Sequence, residues 1–161
     1  MYYGTIGALA IFFIELIAFF VVPTLFKDQR YDQSYTMALR SVFVLLPLRT
    51  VLLEEFAFRG VLLSLCLRVF STKQAVILSS LLFGIWHILP SLTIASFTLP
   101  IVEVVAHKAV GIAAIVLATS CAGIFFSWLR LKTHSLAAPM LLHWAINGTG
   151  IMLAAIIWHR G

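Results

Sequence analysis

Val51-Leu52-Leu53-Glu54-Glu55-Phe56-Ala57-Phe58-Arg59-Gly60 decides how the rest of the chain is read. Two adjacent carboxylates and a guanidinium stand in a run otherwise made of Val, Leu, Phe, Ala and Gly. Charge in an apolar helix is costly, so it faces a partner or a watery hollow and marks function by default. Glu55 and Arg59 are four apart and share a helix face, with the acid first, the better order for a pair. Glu54 is turned from Glu55 by about 100°. One carboxylate can therefore be held by Arg59 while the other stays available for chemistry. A blander reading competes, in which an Arg–Glu pair only pins helices together.

Outward from this stretch the chain stays apolar. Of its 161 residues 62% are hydrophobic and 11% charged, against about 25% charged in a soluble domain. The mean hydropathy is +1.07. These values predict an all-α, polytopic integral membrane helix bundle, organised as a single membrane domain over 1–161. The net charge of +5 comes mostly from basic residues between apolar runs, which suits lipid headgroups. No basic cluster carries interleaved aromatics, so no nucleic-acid partner is expected. Cys66 and Cys121 lie inside apolar runs and read as small packing groups. No C-x-x-C signals redox or thiolate–zinc chemistry. The N-terminal run lacks a basic leader and carries Glu15, so it reads as a retained helix.

A span needs about 20 apolar residues. Residues 6–26 qualify and end near Pro23; Glu15 within them reads mainly as a structural partner for a basic group elsewhere. Residues 27–35 form a polar loop with Tyr at its flanks, as at a headgroup boundary. Residues 36–70 contain Pro47, which has no N–H to donate. They are expected as one bent helix, or as an interfacial segment followed by a span over 48–70. The third span is 73–91. Residues 92–107, interrupted by Pro100 and carrying Glu103 and His107, are expected as a re-entrant or interfacial connector. Residues 108–131 are rich in Gly and Ala, which let helices approach closely. Residues 135–158 complete the set, with Pro139 in the first turn, where proline is tolerated. About five transmembrane helices result. Arg68, Lys73, Arg130 and Lys132 fall on one side, against Lys27, Arg30, Arg40, Lys108 and Arg160 on the other. That near balance leans only weakly towards cytoplasmic short turns and N-terminus.

Three of the spans carry polar groups that lipid would reject: Glu54, Glu55 and Arg59; His87; and His143 with Asn147. Bringing them together satisfies them at least cost. The depths agree. His87 lies about 21 Å beyond Lys73, Asn147 about 18 Å beyond Ser135 and Glu54 about 24 Å before Phe70, all measured from one side. A carboxylate with an imidazole can hold and deprotonate a water. An imidazole and an Asn amide on one helix supply donors for an oxyanion. Together these parts specify hydrolysis of an acyl compound, a peptide bond first among them. No Ser or Cys is paired with a base, so a covalent nucleophile is not indicated.

The same residues carry a family resemblance. The chain resembles the CAAX-type prenyl endopeptidases and their bacterial relatives, the Abi or CPBP group. That group's motifs E-E-x-x-x-R, F-x-x-x-H and H-x-x-x-N stand here as Glu54-Glu55-Phe-Ala-Phe-Arg59, Phe83-Gly-Ile-Trp-His87 and His143-Trp-Ala-Ile-Asn147. Each motif alone is weak; all three in order on separate apolar helices are specific. The resemblance covers about 48–158 and leaves 1–35 as an additional helix and loop. It implies an intramembrane glutamate endopeptidase that needs no metal or cofactor. Glu54 and His87 would activate water, Glu55 and Arg59 would orient the site, and His143 with Asn147 would stabilise the oxyanion. Phe83 would pack beside them. Family members often carry more helices before the first motif; a single clear span precedes it here, which leaves room for a homo-oligomer. The implied partners are a peptide or membrane-protein substrate and the lipid bilayer. The implied location is a prokaryotic cell membrane, crossed several times.

Two other readings use the same polar groups. Two His and a Glu could ligate zinc and leave a fourth position for water, although no H-E-x-x-H is present. Alternatively, the cluster could relay protons or bind a ligand in a non-enzymatic immunity or transport-like protein.

Overall fold

In a bilayer no water is at hand for the backbone, so each apolar run must close its own hydrogen bonds, and it does so as helix. The computed structural model describes residues 2–28, 31–32, 34–90 and 101–159, with the backbone alone for 101–108. Every regular element among the described residues is helical, and five are long and apolar enough to cross a membrane. They are α1 (Tyr2–Val21), α2 (Tyr35–Cys66), α3 (Thr72–Pro90), α4 (Ile101–Thr133) and α5 (Ala137–Trp158). The expected all-α bundle of about five spans is the one found.

Local sequence sets the boundaries. α1 stops just before Pro23, and the tight turn Pro23–Phe26 returns the Phe26 ring to within 5.7 Å of Phe19. α3 starts at a capping box: the Ser71 backbone N–H donates to Gln74 Oε1 at 3.1 Å. After α4, His134 adopts a left-handed backbone (φ 53°), which ends that helix before α5 begins. Pro139 lies in the first turn of α5, as expected. The N-terminal part of α4 differs from expectation. Residues 101–107 continue α4 as helix, although they were expected to belong to a connector. Residues 92–100 of that connector lie outside the described residues, as do Arg30, Arg160 and the side chains of Glu103 and His107.

α2 realises the bent-helix alternative: one helix of 32 residues runs through Pro47. It does so by widening. From Ser41 to Val51, and again from Phe56 to Leu62, the backbone bonds to the fifth residue along in place of the fourth; the Leu52 N–H, for example, donates to the Pro47 carbonyl. Such wide turns are rare inside helices. In this register the carbonyl of Val42 looks to residue 47 for its donor, and proline has none. The indole Nε1–H of Trp144 donates to the Val42 carbonyl instead, at 2.8 Å.

The described chain forms two compact units, 1–57 with 129–161, and 58–128. In the first, α1 and the first part of α2 both pack on α5. Ala38, Val42, Leu46 and Val51 of α2 meet Ile151 and Ala155 of α5 in its core. α1 approaches α5 so closely that a Cβ on Gly4 would stand 2.9 Å from the Ala138 backbone. Without a hydrophobic drive between helices in lipid, such small-residue contacts hold the pair. The opposite face of α1 presents Leu9, Phe13, Ile17 and Phe20, each more than half exposed, to the surrounding lipid. In the second unit, the last turns of α2 pack with α3 and with α4 up to Trp128. There a Cβ on Gly84 would stand 2.6 Å from the Val116 carbonyl oxygen.

Candidate active site

Glu54 and Glu55 lie in the short regular stretch Leu52–Glu55, between the two widened parts of α2. Glu55 is fully buried, and so, nearly, is His143 of α5. His143 Nδ1 lies 2.8 Å from Glu55 Oε1. The ring N–H at Nδ1 donates and the Glu55 carboxyl oxygen accepts. The other ring nitrogen, Nε2, lies 3.8 Å from Glu54 Oε2. That is beyond hydrogen-bonding distance but within the field of the charge. His143 thus stands between two carboxylates, bonded to one and facing the other. Asn147 follows one turn later on the same face of α5 and is half-buried. Of the sequence-predicted residues, the first unit brings together Glu54, Glu55 and His143 directly, and Asn147 by helical spacing.

The second unit holds Arg59, Phe83 and His87. Arg59 is buried, its guanidinium carbon 3.9 Å from the Phe83 ring centroid and 4.9 Å from that of Phe126. The ring of Phe58 flanks it at 6.0 Å. A planar cation against ring faces is a favourable cation–π arrangement, stronger when desolvated. Gly123 keeps space for it: a Cβ there would stand 3.3 Å from Arg59 Nη2 and 3.0 Å from the Ser80 Cβ. His87 packs edge-on against Phe83, with centroids 4.6 Å apart. Its Nδ1–H donates to the Phe83 carbonyl at 2.7 Å. That bond settles the tautomer of a neutral ring and leaves Nε2 as its acceptor nitrogen. The F-x-x-x-H spacing therefore does two things here. It supplies a ring for Arg59, and it supplies the carbonyl that orients His87.

Sequence reasoning missed Trp144, Phe58, Phe126 and Ser79. The Ser79 hydroxyl donates to the Phe58 carbonyl at 3.0 Å, in the second widened part of α2. Each widened stretch therefore has a carbonyl answered by a side chain of another helix. For Trp144 a signal was present, since a half-buried indole N–H in a membrane span must find an acceptor. The acceptor itself could not be guessed without the widened register. Among the described residues, no three His, Cys, Asp or Glu side chains group as a metal-ligand set.

A family model for type II CAAX prenyl endopeptidases, Rce1-like, matches residues 36–149. The match takes in α2, α3, α4 and the first half of α5, and with them all six candidate residues. No curated protein and no solved structure matches the chain.

Proposed function

Because this chain belongs to the Rce1-like family of type II CAAX prenyl endopeptidases, we propose that it cleaves a peptide or membrane-protein substrate with water activated by Glu54, without metal or cofactor. The observation that carries this reading is His143 set between Glu55 and Glu54, at 2.8 Å and 3.8 Å. Glu55 anchors the ring at Nδ1 and thereby aims Nε2 towards the Glu54 side. The longer gap lets a reacting oxygen sit within about 2.8 Å of both Nε2 and the Glu54 carboxylate.

In the proposed reaction Glu54 takes a proton from water, and the hydroxide adds to the scissile carbonyl. His87, oriented through its Nδ1–H bond to the Phe83 carbonyl, keeps Nε2 as an acceptor. His143, held by Glu55 at Nδ1, turns Nε2 towards the reacting oxygen, and the Asn147 amide donates to the oxyanion. Glu54 then returns its proton to the leaving amine as the carbon–nitrogen bond breaks. Arg59, stacked on Phe83, keeps the Phe83–His87 pair in place.

The test is mass spectrometry of prenylated and unprenylated peptides incubated with the purified protein in lipid nanodiscs. Glu54→Gln is expected to keep its helix content and to lose cleavage by about 10²–10⁴-fold, the range of a general base. A variant cleaving at the normal rate would remove Glu54 from the mechanism. Strong chelators are expected to leave the wild-type rate unchanged; their abolishing it would favour the zinc reading.

A further inference from the structure

We propose that Trp144 is a positioning residue for the hydrolytic site: its indole N–H holds α2 in the widened register that carries Glu54 and Glu55 to His143. The proposal rests on the reading of Glu54 and His143 as parts of that site.

Three observations meet at one place. The first is the register itself, widened from Ser41 to Val51 and passing through Pro47. The second is the carbonyl of Val42, whose donor in that register would be the missing N–H of Pro47. Val42 is buried, so no solvent is available to replace it. The third is Trp144 Nε1–H, which reaches that carbonyl at 2.8 Å. Gly148 lets α5 come close to Val42: a Cβ there would stand 3.2 Å from Val42 Cγ1.

The consequence runs along α2. A change of register by one residue turns everything downstream by about 100° about the helix axis. Glu54 and Glu55 lie downstream of the widened stretch, and the 2.8 Å bond from His143 to Glu55 tolerates no such turn. His143 and Trp144 are neighbours on α5. One helix therefore grips α2 at two places, once at the catalytic carboxylates and once at the backbone that determines where they point. Trp144 touches no reacting atom in this scheme; it acts through α2.

A double-mutant cycle tests the idea. Trp144→Phe keeps a flat ring and removes only the donor and part of the bulk. Pro47→Ala restores a backbone N–H at the position that would serve Val42. With prenylated peptide in nanodiscs, Trp144→Phe is expected to lower kcat about tenfold, with KM changed less than about twofold. Pro47→Ala alone should stay within about threefold of wild type, and the double variant should recover most of the lost kcat. Hydrogen–deuterium exchange over residues 41–57 gives a second readout that needs no activity. Trp144→Phe should speed exchange there, and Pro47→Ala added to it should slow exchange again. A double variant as slow in turnover and as fast in exchange as Trp144→Phe overturns the proposal, as does a Trp144→Phe protein unchanged in both. If Glu54→Gln cleaves normally, the hydrolytic reading fails, yet the exchange cycle still decides whether Trp144 holds the register.

Discussion

A carboxylate in a membrane helix is identified by what holds it, and here the two neighbours differ. Glu55 is bonded to His143 and wholly buried, whereas Glu54 keeps a 3.8 Å separation from the same ring. The sequence pointed to two carboxylates facing different ways, because adjacent residues on a helix are turned by about 100°. It named Arg59 as the anchor on i,i+4 spacing. The structure adds His143 from a helix 88 residues away, a contact that no local rule could supply. Arg59 itself is enclosed by rings, and Phe126 on α4 could not be tied to it by spacing. A flat guanidinium stacks on Phe83 and Phe126 where a compact ammonium cannot. Arg59→Lys is therefore expected to destabilise the protein by about 1–2 kcal/mol although the charge is kept. Thermal unfolding in detergent reads this, and an unchanged midpoint would mean the stacking contributes little.

At the scale of elements, the apolar runs were legible because a bilayer span requires length and composition alone. Helix ends were legible where proline marked them, as at Pro23 and Pro139. The widened turns of α2 were not, since Pro47 signals only that a normal bond is missing, not how the helix makes good the loss. Close packing was partly legible as a surplus of small residues, but not which of them touch. Two glycines of the same unit make the contrast. A Cβ at Gly84 would meet Ser120 Oγ as well as lie 2.6 Å from the Val116 carbonyl oxygen, and a backbone atom cannot swing aside. At Gly111 no atom lies within 4 Å of the added carbon. Gly84→Ala is expected to cost about 1–3 kcal/mol through forced separation of α3 and α4. Gly111→Ala should leave stability unchanged or slightly raised, since alanine is the better helix former. The two melting curves decide it: equal midpoints would show that the α3–α4 approach adapts freely.

For the whole molecule, the claim that it spans a membrane several times rests on more than hydropathy. α5 has 22 residues and is about 33 Å long, close to a hydrocarbon core of about 30 Å. Aromatic and basic groups mark both ends of the first unit. Lys132 lies 5.9 Å from the Tyr3 ring at one end. At the other, Trp158 donates to the Asp28 carbonyl at 3.0 Å with Lys27 6.0 Å from its ring. Such pairs suit the two headgroup layers. Gly4 meets Ala138 and Gly7 meets Leu142, so α1 and α5 advance together and run parallel. The chain between two parallel spans must cross the bilayer an odd number of times, and α2, α3 and α4 supply three crossings. Ser71 and His134 then lie on the face where α1 begins, and Lys27 lies on the opposite face. In a protein with Cys66 and Cys121 replaced by alanine, cysteines introduced singly at positions 71 and 134 are expected to react with an impermeant maleimide from the same side of sealed vesicles. A cysteine at position 27 should react only from the other side. Labelling of 71 and 134 from opposite sides would require that one of α3 and α4, and not the other, fails to cross as its length and composition imply. The expectation that Glu54, His87 and His143 lie at one depth would then lose its basis.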